Sequence, residues 1–484
     1  MIQHNSIHRF LHATAAAVAM AASFAIPAAS QYNAGTSGAG KAIRTLASGQ
    51  SGTVAGSVPS GPAINQVLHL TLQDAIRRSF QFNLGSIETS ADTATARGER
   101  LLALSALLPH VSAGVSENVE QTDLATIGLK APGIPSVIGP YSYSSADLSA
   151  TQTLFSFASI QRLRAARSAE QAAQLNYQDT LDVVTLAVGN AYLEAIADQS
   201  RIVAQEAQVS SAMALYVQAE DELEAGTAPR IDVTQTAVQL HTEEYNLSVM
   251  RNNFAIAKLA LARAIGLPLG QQFDLVDKLP YSDLETLSLY DALDMADKSR
   301  SDLRAALEVE KSAERALSAA KGERWPTLAV NGNYGDAGKT FGHSHGTFGF
   351  AAGVNVPVFS GRRIKGDIVE ADAALRQRKA EAENLRGQID YDVRKAFLNL
   401  NAAKEQVAVA QQNVALANEN LARAKDRFTS GVTNSVEAVQ AEQALAEANN
   451  QYISSLYDHN LAKLSLARAL GVAHTDYQQY LGGN

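Results

Sequence analysis

Few residues in this chain could do chemistry. His343, Ser344 and His345 place two imidazoles close together, yet no acid or cysteine stands near them in sequence. They lie in a glycine-rich turn, and two histidines fill only half of a closed tetrahedral set, so they read as a solvated loop and not as a metal site. The chain has no cysteine, which removes thiolate nucleophiles, disulfides and cysteine-ligated metals together. There is no Gly-x-Ser-x-Gly elbow, no glycine-rich phosphate loop and no pair of acids set apart as if across a cleft. Catalysis therefore has no candidate residue, no cofactor is implied, and an enzyme is not expected. What remains is a pair of acids, Asp232 and Glu437, in matching positions a few residues after Gly226 and Gly431. An acid there favours the positive end of a starting helix, which by itself accounts for Asp232.

The two glycines punctuate two very long helical stretches. One opens Leu154-Phe155-Ser156 and runs about seventy residues without a proline to Ala225-Gly226-Thr227; the other opens Val358-Phe359-Ser360 and breaks at Ser430-Gly431-Val432. At 1.5 Å per residue such a helix is about 100 Å long. Apolar residues follow a 3-4 spacing in both: Leu181, Val184, Val188, Ala191, Ala195, Ile202, Val209, Ala212, Tyr216, Ala219 and Leu223, then Ile389, Val393, Ala396, Leu400, Ala403, Val407, Ala410, Val414, Ala417, Leu421, Ala424 and Phe428. After each glycine a second helical run returns, through Leu240, Leu247, Met250, Phe254, Ala257 and Leu261, and through Leu445, Ala448, Tyr452, Ala462 and Leu466. The heptad seam predicts that each long helix pairs with its return helix as an antiparallel coiled coil. Glycine suits the left-handed residue that ends a helix, and Pro229 suits the start of the first return helix.

The whole arrangement is duplicated. Leu70-Thr71-Leu72-Gln73-Asp74-Ala75-Ile76 recurs as Leu287-Ser288-Leu289-Tyr290-Asp291-Ala292-Leu293, an offset of 217 that persists at Pro109 and Pro326. It falls to 204 at Phe155 and Phe359 and to 205 at Gly226/Gly431 and Gly266/Gly471. Thr71 to Asp74 and Ser288 to Asp291 carry cap spacing. The segments that differ in length read as β-hairpins. Leu328, Val330, Gly332 and Tyr334 alternate with Ala329, Asn331 and Asn333, and Phe348, Phe350, Ala352, Val354, Val356 and Val358 alternate with small or polar residues. The first copy is weaker, with Val111, Ala113 and Val115 going out and Leu148, Ala150 and Leu154 returning. Aromatics (Tyr141, Tyr143, Phe155, Trp325, Tyr334, Phe341, Phe348, Phe359) gather toward the strand ends. Period two with one apolar face fits membrane barrel strands or a soluble sandwich with one buried face, and four strands cannot close a barrel alone.

Residues 1–30 have the layout of a signal peptide: His8-Arg9, an apolar run from Leu11 to Ala25, then Ala28-Ala29-Ser30. Residues 31–66 are rich in Gly, Ser, Thr and Ala and read as a flexible extension. The first repeat spans 67–279 (a helix, β-hairpin 109–156, coiled-coil hairpin 157–266). The second spans 280–475 (a helix, β-hairpin 326–359, coiled-coil hairpin 361–471), and 476–484 is a tail. With 484 residues, 18% charged, 6% aromatic and a net charge of −9, the chain has no basic surface for nucleic acid.

Two copies of helix, β-hairpin, very long helix, glycine tip and return helix, behind a signal peptide, resemble the TolC-like outer-membrane efflux proteins. The Phe-Ser pairs at 155/156 and 359/360, the tips at Gly226 and Gly431 and the Ala-Arg-Ala-(Ile/Leu)-Gly ends carry the resemblance, over Leu68 to about Val472. It implies an α+β membrane protein that works as a homotrimer. Each subunit would give four strands to a twelve-stranded barrel in outer-membrane lipid and four helical strands to a twelve-helix periplasmic tunnel. The tips would dock on a periplasmic adaptor and an inner-membrane RND, ABC or MFS pump. The resemblance further implies a pore constriction at Glu437 and Gln440, one ring acidic and one amide, that would draw cations less than two acidic rings. It places adaptor contact at Gly226, Thr227, Ala228, Arg230, Asp232, Gly431, Val432 and Thr433. The function implied is a passive exit duct of an efflux or type I secretion system, in the outer membrane with a periplasmic tunnel. A soluble periplasmic coiled-coil scaffold or adaptor is the competing reading, and the two hairpins discriminate: a duct buries them in lipid.

Overall fold

The computed structural model describes residues 56–128, 133, 135–227, 229–278, 281, 282, 284, 287–430, 432, 433 and 435–481. The signal peptide expected at 1–30 lies outside them. Within these residues the same element order occurs twice. The first pass is β1 (Leu68–Leu70), α1 (Leu72–Phe82), α2 (Leu84–Ser105), β2 (His110–Asp123), β3 (Val137–Phe155), α3 (Phe157–Glu224) and α4 (Arg230–Ala264). The second is β4 (Phe273–Leu275), α5 (Leu289–Ser299), α6 (Ser301–Gly322), β5 (Thr327–Gly338), β6 (Ser344–Asn355), α7 (Arg363–Thr429) and α8 (Ser435–Leu470), followed by α9 (Ala473–Leu481).

The caps form as their spacing predicts. Thr71 Oγ1 accepts from Asp74 N and Ser288 Oγ from Asp291 N, both at 3.1 Å. The acids answer differently from a capping box: each hydroxyl donates to its Asp carboxylate at 2.6 Å instead of the acid reaching back to the cap amide. The single helix expected in each copy before the hairpin is in fact two. Asn83 and Arg300 break them, neither being glycine nor proline. Asn83 is extended, caps α2 by accepting from Gly85 N at 3.0 Å and donates to Ala264 O at 3.2 Å. Arg300, at the matching place, donates to Ala469 O at 3.3 Å. Each break thus feeds the orphan carbonyls at the end of a return helix.

The long helices span 68 and 67 residues, their return helices 35 and 36. A return helix of that length reaches only about 52 Å, half of its partner. The expected pairing of each long helix with its return helix therefore covers only part of the long helix. Below the middle α3 packs on α4, and α7 on α8; above it, α3 lies against α2 and α6, and α7 against α6. Arg100 pairs with Glu170 at 2.6 Å, Ser312 Oγ donates to Ala165 O at 2.9 Å, and Arg386 meets Asp297 at 3.5 Å along this upper part. A stretch of α3 is apolar enough to cross a bilayer, but 61% of it is buried, as in a core helix.

Two apolar cores fill the middle of the molecule. Ile76, Val184, Val188, Tyr192, Leu261 and Ile265 form one; Leu303, Ile389, Val393, Leu466 and Leu470 form the other. Over the first lies a small parallel pair, β1 with β4, which sequence reading did not anticipate. Tyr192 Oη donates to Leu70 O at 2.9 Å and Asp277 Oδ2 at 2.8 Å and pins that pair to α3.

Two further expectations change. The extension at 31–66 is held from Gly56 onward by main-chain bonds: Leu84 N to Gly56 O at 3.0 Å, Val58 N to Phe82 O at 2.8 Å and Ser60 N to Gly266 O at 3.1 Å. Such bonds leave no apolar pattern in a sequence. The tail at 476–484 belongs to α9 as far as Leu481, with Tyr480 buried in the second core and Leu481 also buried.

Where the repeats meet, charge is buried. Arg468 donates to Asp179 Oδ1 at 2.7 Å, Arg300 to Asp302 at 2.5 and 2.8 Å, and His474 N to Asp182 Oδ1 at 2.7 Å. Burial pushes the Asp179 carboxyl up to about 6; Asp302 and Asp182 add to this, while Arg468 and Arg300 oppose it. A carboxyl raised above its ordinary value binds its proton more readily folded than unfolded. Stability then falls as pH rises between about 4 and about 6. Asp179→Asn should flatten that part of the pH profile, measured as denaturant midpoint against pH; an unchanged slope would show that Asp179 does not titrate there.

Candidate functional site

The far ends of the long helices bring together most residues marked by the sequence. At the first tip Gly226 has φ +74, with Gly226 N donating to Leu223 O at 3.0 Å and Thr227 N to Glu222 O at 2.9 Å. This is the paired-bond ending that requires a left-handed residue. At the second, Val432 N donates to Arg427 O at 3.0 Å, the matching bond. Gly431 and Ala228 lie outside the described residues. Thr227, Arg230 and Val432 are exposed and Thr433 half-buried.

Glu437 sits in the first turn of α8, as its helix-start reading requires. Its Oε2 lies 3.5 Å from Arg427 Nη2 on the preceding helix, a cation the sequence gave no reason to place there. Gln440, one turn on, is exposed. Asp232 is not on the surface. It is 6% exposed and accepts from Ser435 Oγ at 2.7 Å, which joins α4 of the first hairpin to α8 of the second. The helix-start position is correct but incomplete: the acid also ties the two tips together.

Sequence reading missed the rest of that tie. Above Asp232 the facing sides of α3, α4, α7 and α8 carry a polar ladder inside the bundle. Gln443 donates to Gln239 Oε1 at 3.0 Å, Gln239 to Glu243 Oε1 at 2.5 Å and Gln205 to Glu243 Oε2 at 2.5 Å. Beside Gln443, Glu442 is 1% exposed and accepts from Ser211; Lys425 Nζ donates to Ser211 Oγ at 2.6 Å and lies 3.5 Å from Glu442. Burial raises the Glu442 carboxyl, against the pull of Ser211 and Lys425. One signal was available: Gln205 interrupts the apolar seam of α3 at a position that faces inward. Beside the ladder Leu215, Phe428 and Ala438 supply the apolar contact between the two hairpins. A polar interface of this kind holds two helical hairpins in register yet costs less to separate in water than an apolar one.

At the opposite end the two β-hairpins merge into one antiparallel sheet, in the order β2-β3-β5-β6. Val111 pairs with Ala150, Ala150 with Gly332 and Gly332 with Phe350; one step along, Ala113, Leu148, Tyr334 and Phe348 form the next row. All of these share one face because side chains alternate. That face is bare: Phe348 is 85% exposed, Phe350 76% and Val115 74%. The other face is hydroxyl- and amide-bearing, with Ser112 to Ser149 at 2.7 Å and Ser116 to Ser145 at 2.8 Å. Strands β2 and β6 are edges with no partner among the described residues. His343 and His345 fall at the β5–β6 turn, and among the described residues no group of three or more His, Asp or Glu could hold a metal.

The sequence profile of the outer membrane efflux protein family matches residues 76–267 and 292–472, once per repeat. Among curated relatives, the toluene efflux pump outer membrane protein TtgF of Pseudomonas putida is 23% identical over 409 residues, 83% of each chain. The outer membrane protein TolC of Vibrio cholerae is 23% identical over 374 residues, 76% of this chain and 83% of that one. Among solved structures, the outer membrane protein VceC of Vibrio cholerae superposes with a TM-score of 0.71 at 17% identity, covering 83% of this chain and 96% of its own.

Proposed function

The chain belongs to the outer membrane efflux protein family, and from that premise we propose that it is the outer-membrane exit duct of a tripartite efflux system. The observation that carries this is the sheet: an apolar, exposed face on one side, a polar face on the other and two unpaired edges. Strands with such alternation suit a barrel wall with lipid outside and water within, and unpaired edges in lipid are not tolerated. In a homotrimer, β6 of one copy meets β2 of the next and the three sheets close. The four helical columns of each copy then continue as a tunnel through the periplasm.

In this reading no residue acts as a catalyst; the duct is opened and energised by its partners. The tips, with Gly226, Thr227, Ala228, Arg230, Gly431, Val432 and Thr433, meet the periplasmic adaptor, beyond which stands the inner-membrane pump. Asp232 acts behind them, holding α4 to α8 through Ser435. The constriction lies at Glu437 and Gln440. The Arg427 beside each Glu437 offsets part of its charge, so the ring draws divalent cations weakly. Glu437→Gln should therefore change Mg²⁺ block of single-channel conductance by less than about threefold, as for a half-exposed ion pair; a tenfold or larger change would show an unshielded acidic ring. Cell fractionation tests the duct against the soluble scaffold: the protein should sediment with outer membrane, and recovery wholly in the soluble periplasmic fraction would reject the duct.

A further inference from the structure

The two repeats start their long helices differently, and the difference lies at the tunnel-side rim of the sheet. In the first, Phe155 leads into Ser156, which caps α3 by accepting from Ser159 N at 3.2 Å. In the second, Phe359 and Ser360 are followed by Gly361 at φ +58 and Arg362 at φ +69, and α7 begins only at Arg363. Arg362 is the one non-glycine residue with positive φ among those described. A left-handed arginine is costly, and Arg362, Arg363 and Lys365 all crowd the positive end of a helix, where cations are disfavoured. Within one chain only Arg363 is compensated, by two carboxylates. Glu323 is the nearby acid, and it already pairs with Arg162 and, at 2.8 Å, with Arg363; Asp367 is also taken by Arg363, at 2.9 Å. Arg324, Arg362 and Lys365 are exposed and have no side-chain partner among the described residues.

In the segments that flank these cations, just beyond the ends of β5 and β6, bulky apolar side chains are bare. Val358 is 92% exposed, Phe359 87% and Trp325 56%. Trp325 stacks on Phe157 at 5.5 Å, which holds its ring at the rim. The pairing of Thr327 with Asn355 and the Glu323–Arg363 ion pair bring the two segments to one place. An apolar shelf continuous with a lipid-facing surface, edged by unpaired cations, is complementary to one chemistry: acyl chains that end in an anionic phosphate.

We propose that Arg324, Arg362 and Lys365, beneath Trp325, Val358 and Phe359, form a docking surface for the phosphate of anionic phospholipids in the leaflet nearest the tunnel. This rests on the outer-membrane reading, and the test separates the two. Full-length protein is reconstituted into phosphatidylcholine vesicles and into mixed phosphatidylcholine and phosphatidylglycerol vesicles. Wild type that fails to insert into either overturns the membrane reading itself. Given insertion, lipid retained on protein extracted from the mixed vesicles is quantified by mass spectrometry. Wild type should retain phosphatidylglycerol in excess of its share, and the triple variant Arg324→Gln, Arg362→Gln, Lys365→Gln should lose that enrichment, each cation contributing up to about fivefold. Arg362→Gly relieves the backbone and removes one cation, so it should fold at least as well as wild type yet lose up to about fivefold in enrichment. Enrichment equal in wild type and both variants would overturn the proposal. So would loss of the wild-type enrichment on adding inorganic phosphate, since the ligand would then be a free anion.

Discussion

Gly471→Ala should destabilise the protein by about 2–4 kcal/mol, well beyond the effect of the same change at Gly226. Both residues are left-handed, at φ +76 and +74. A Cβ on Gly226 would meet nothing within 4 Å. There alanine incurs the conformational cost alone, about 1 kcal/mol. On Gly471 the added carbon would lie 2.8 Å from Arg300 Cα and 3.0 Å from Arg300 N. Those are backbone atoms held by the break between α5 and α6, so the neighbour cannot rotate away, and overpacking adds about 1–3 kcal/mol. Gly266 should behave like Gly471, because its Cβ would sit 2.9 Å from Val58 O and 2.4 Å from Phe82 Cβ. Denaturant midpoints of the three alanine variants check this. Equal losses at all three would mean that close docking of the return-helix ends contributes nothing.

The second large effect concerns the sheet. Phe350→Lys should cost about 2–4 kcal/mol of folding stability in a bilayer, the range for a cation on the lipid face near mid-membrane. The adjacent Ala351→Lys should cost little, because its side chain points to the other face beside Asn331. In water the order would reverse in significance, since Phe350 is bare in the single chain and lysine there would be neutral or helpful to solubility. Refolding of both variants into phosphatidylcholine vesicles gives the comparison. If both tolerate lysine equally, the exposed apolar face does not meet lipid.

Much of the fold was legible where period and partner are set locally. Ile389, Val393, Leu400, Val407, Ala410, Leu421, Ala424 and Phe428 are all buried as the heptad spacing demands, because α8 lies along the lower half of that seam. The first seam is less faithful: Leu223 is 37% exposed and Gln205 4%. There the inward face also meets the second hairpin, whose polar groups replace apolar ones. A heptad states that a face is buried and leaves its partner open. That is why the change of partner above mid-length, from the return helix to α2 and α6, could not be read.

The breaks at Asn83 and Arg300 were hidden for a related reason. Asn83 is a plausible cap residue, but Arg300 is an ordinary helix former, and only the docked end of α8 explains the interruption. Segment 56–66 follows chains of backbone bonds, which any composition can make. The tip acids show both limits together. Position identified Asp232 and Glu437 as helix-start acids, correctly. Their partners, Ser435 for one and Arg427 for the other, come from neighbouring helices, and make one an internal tie and set a cation beside the other.

The proposal that this chain forms a water-filled duct through a membrane is tested most directly by conductance. Purified full-length protein added to a planar phosphatidylcholine bilayer should produce discrete, equal current steps, each from one assembled channel, with no nucleotide or ion gradient beyond the applied voltage. Ser435→Ala, which removes the hydroxyl that joins Asp232 to the second hairpin, should give larger steps or longer open times. Insertion without any steps, in wild type and variant alike, would contradict the duct, and a protein that never enters the bilayer would contradict the membrane-spanning sheet on which it rests.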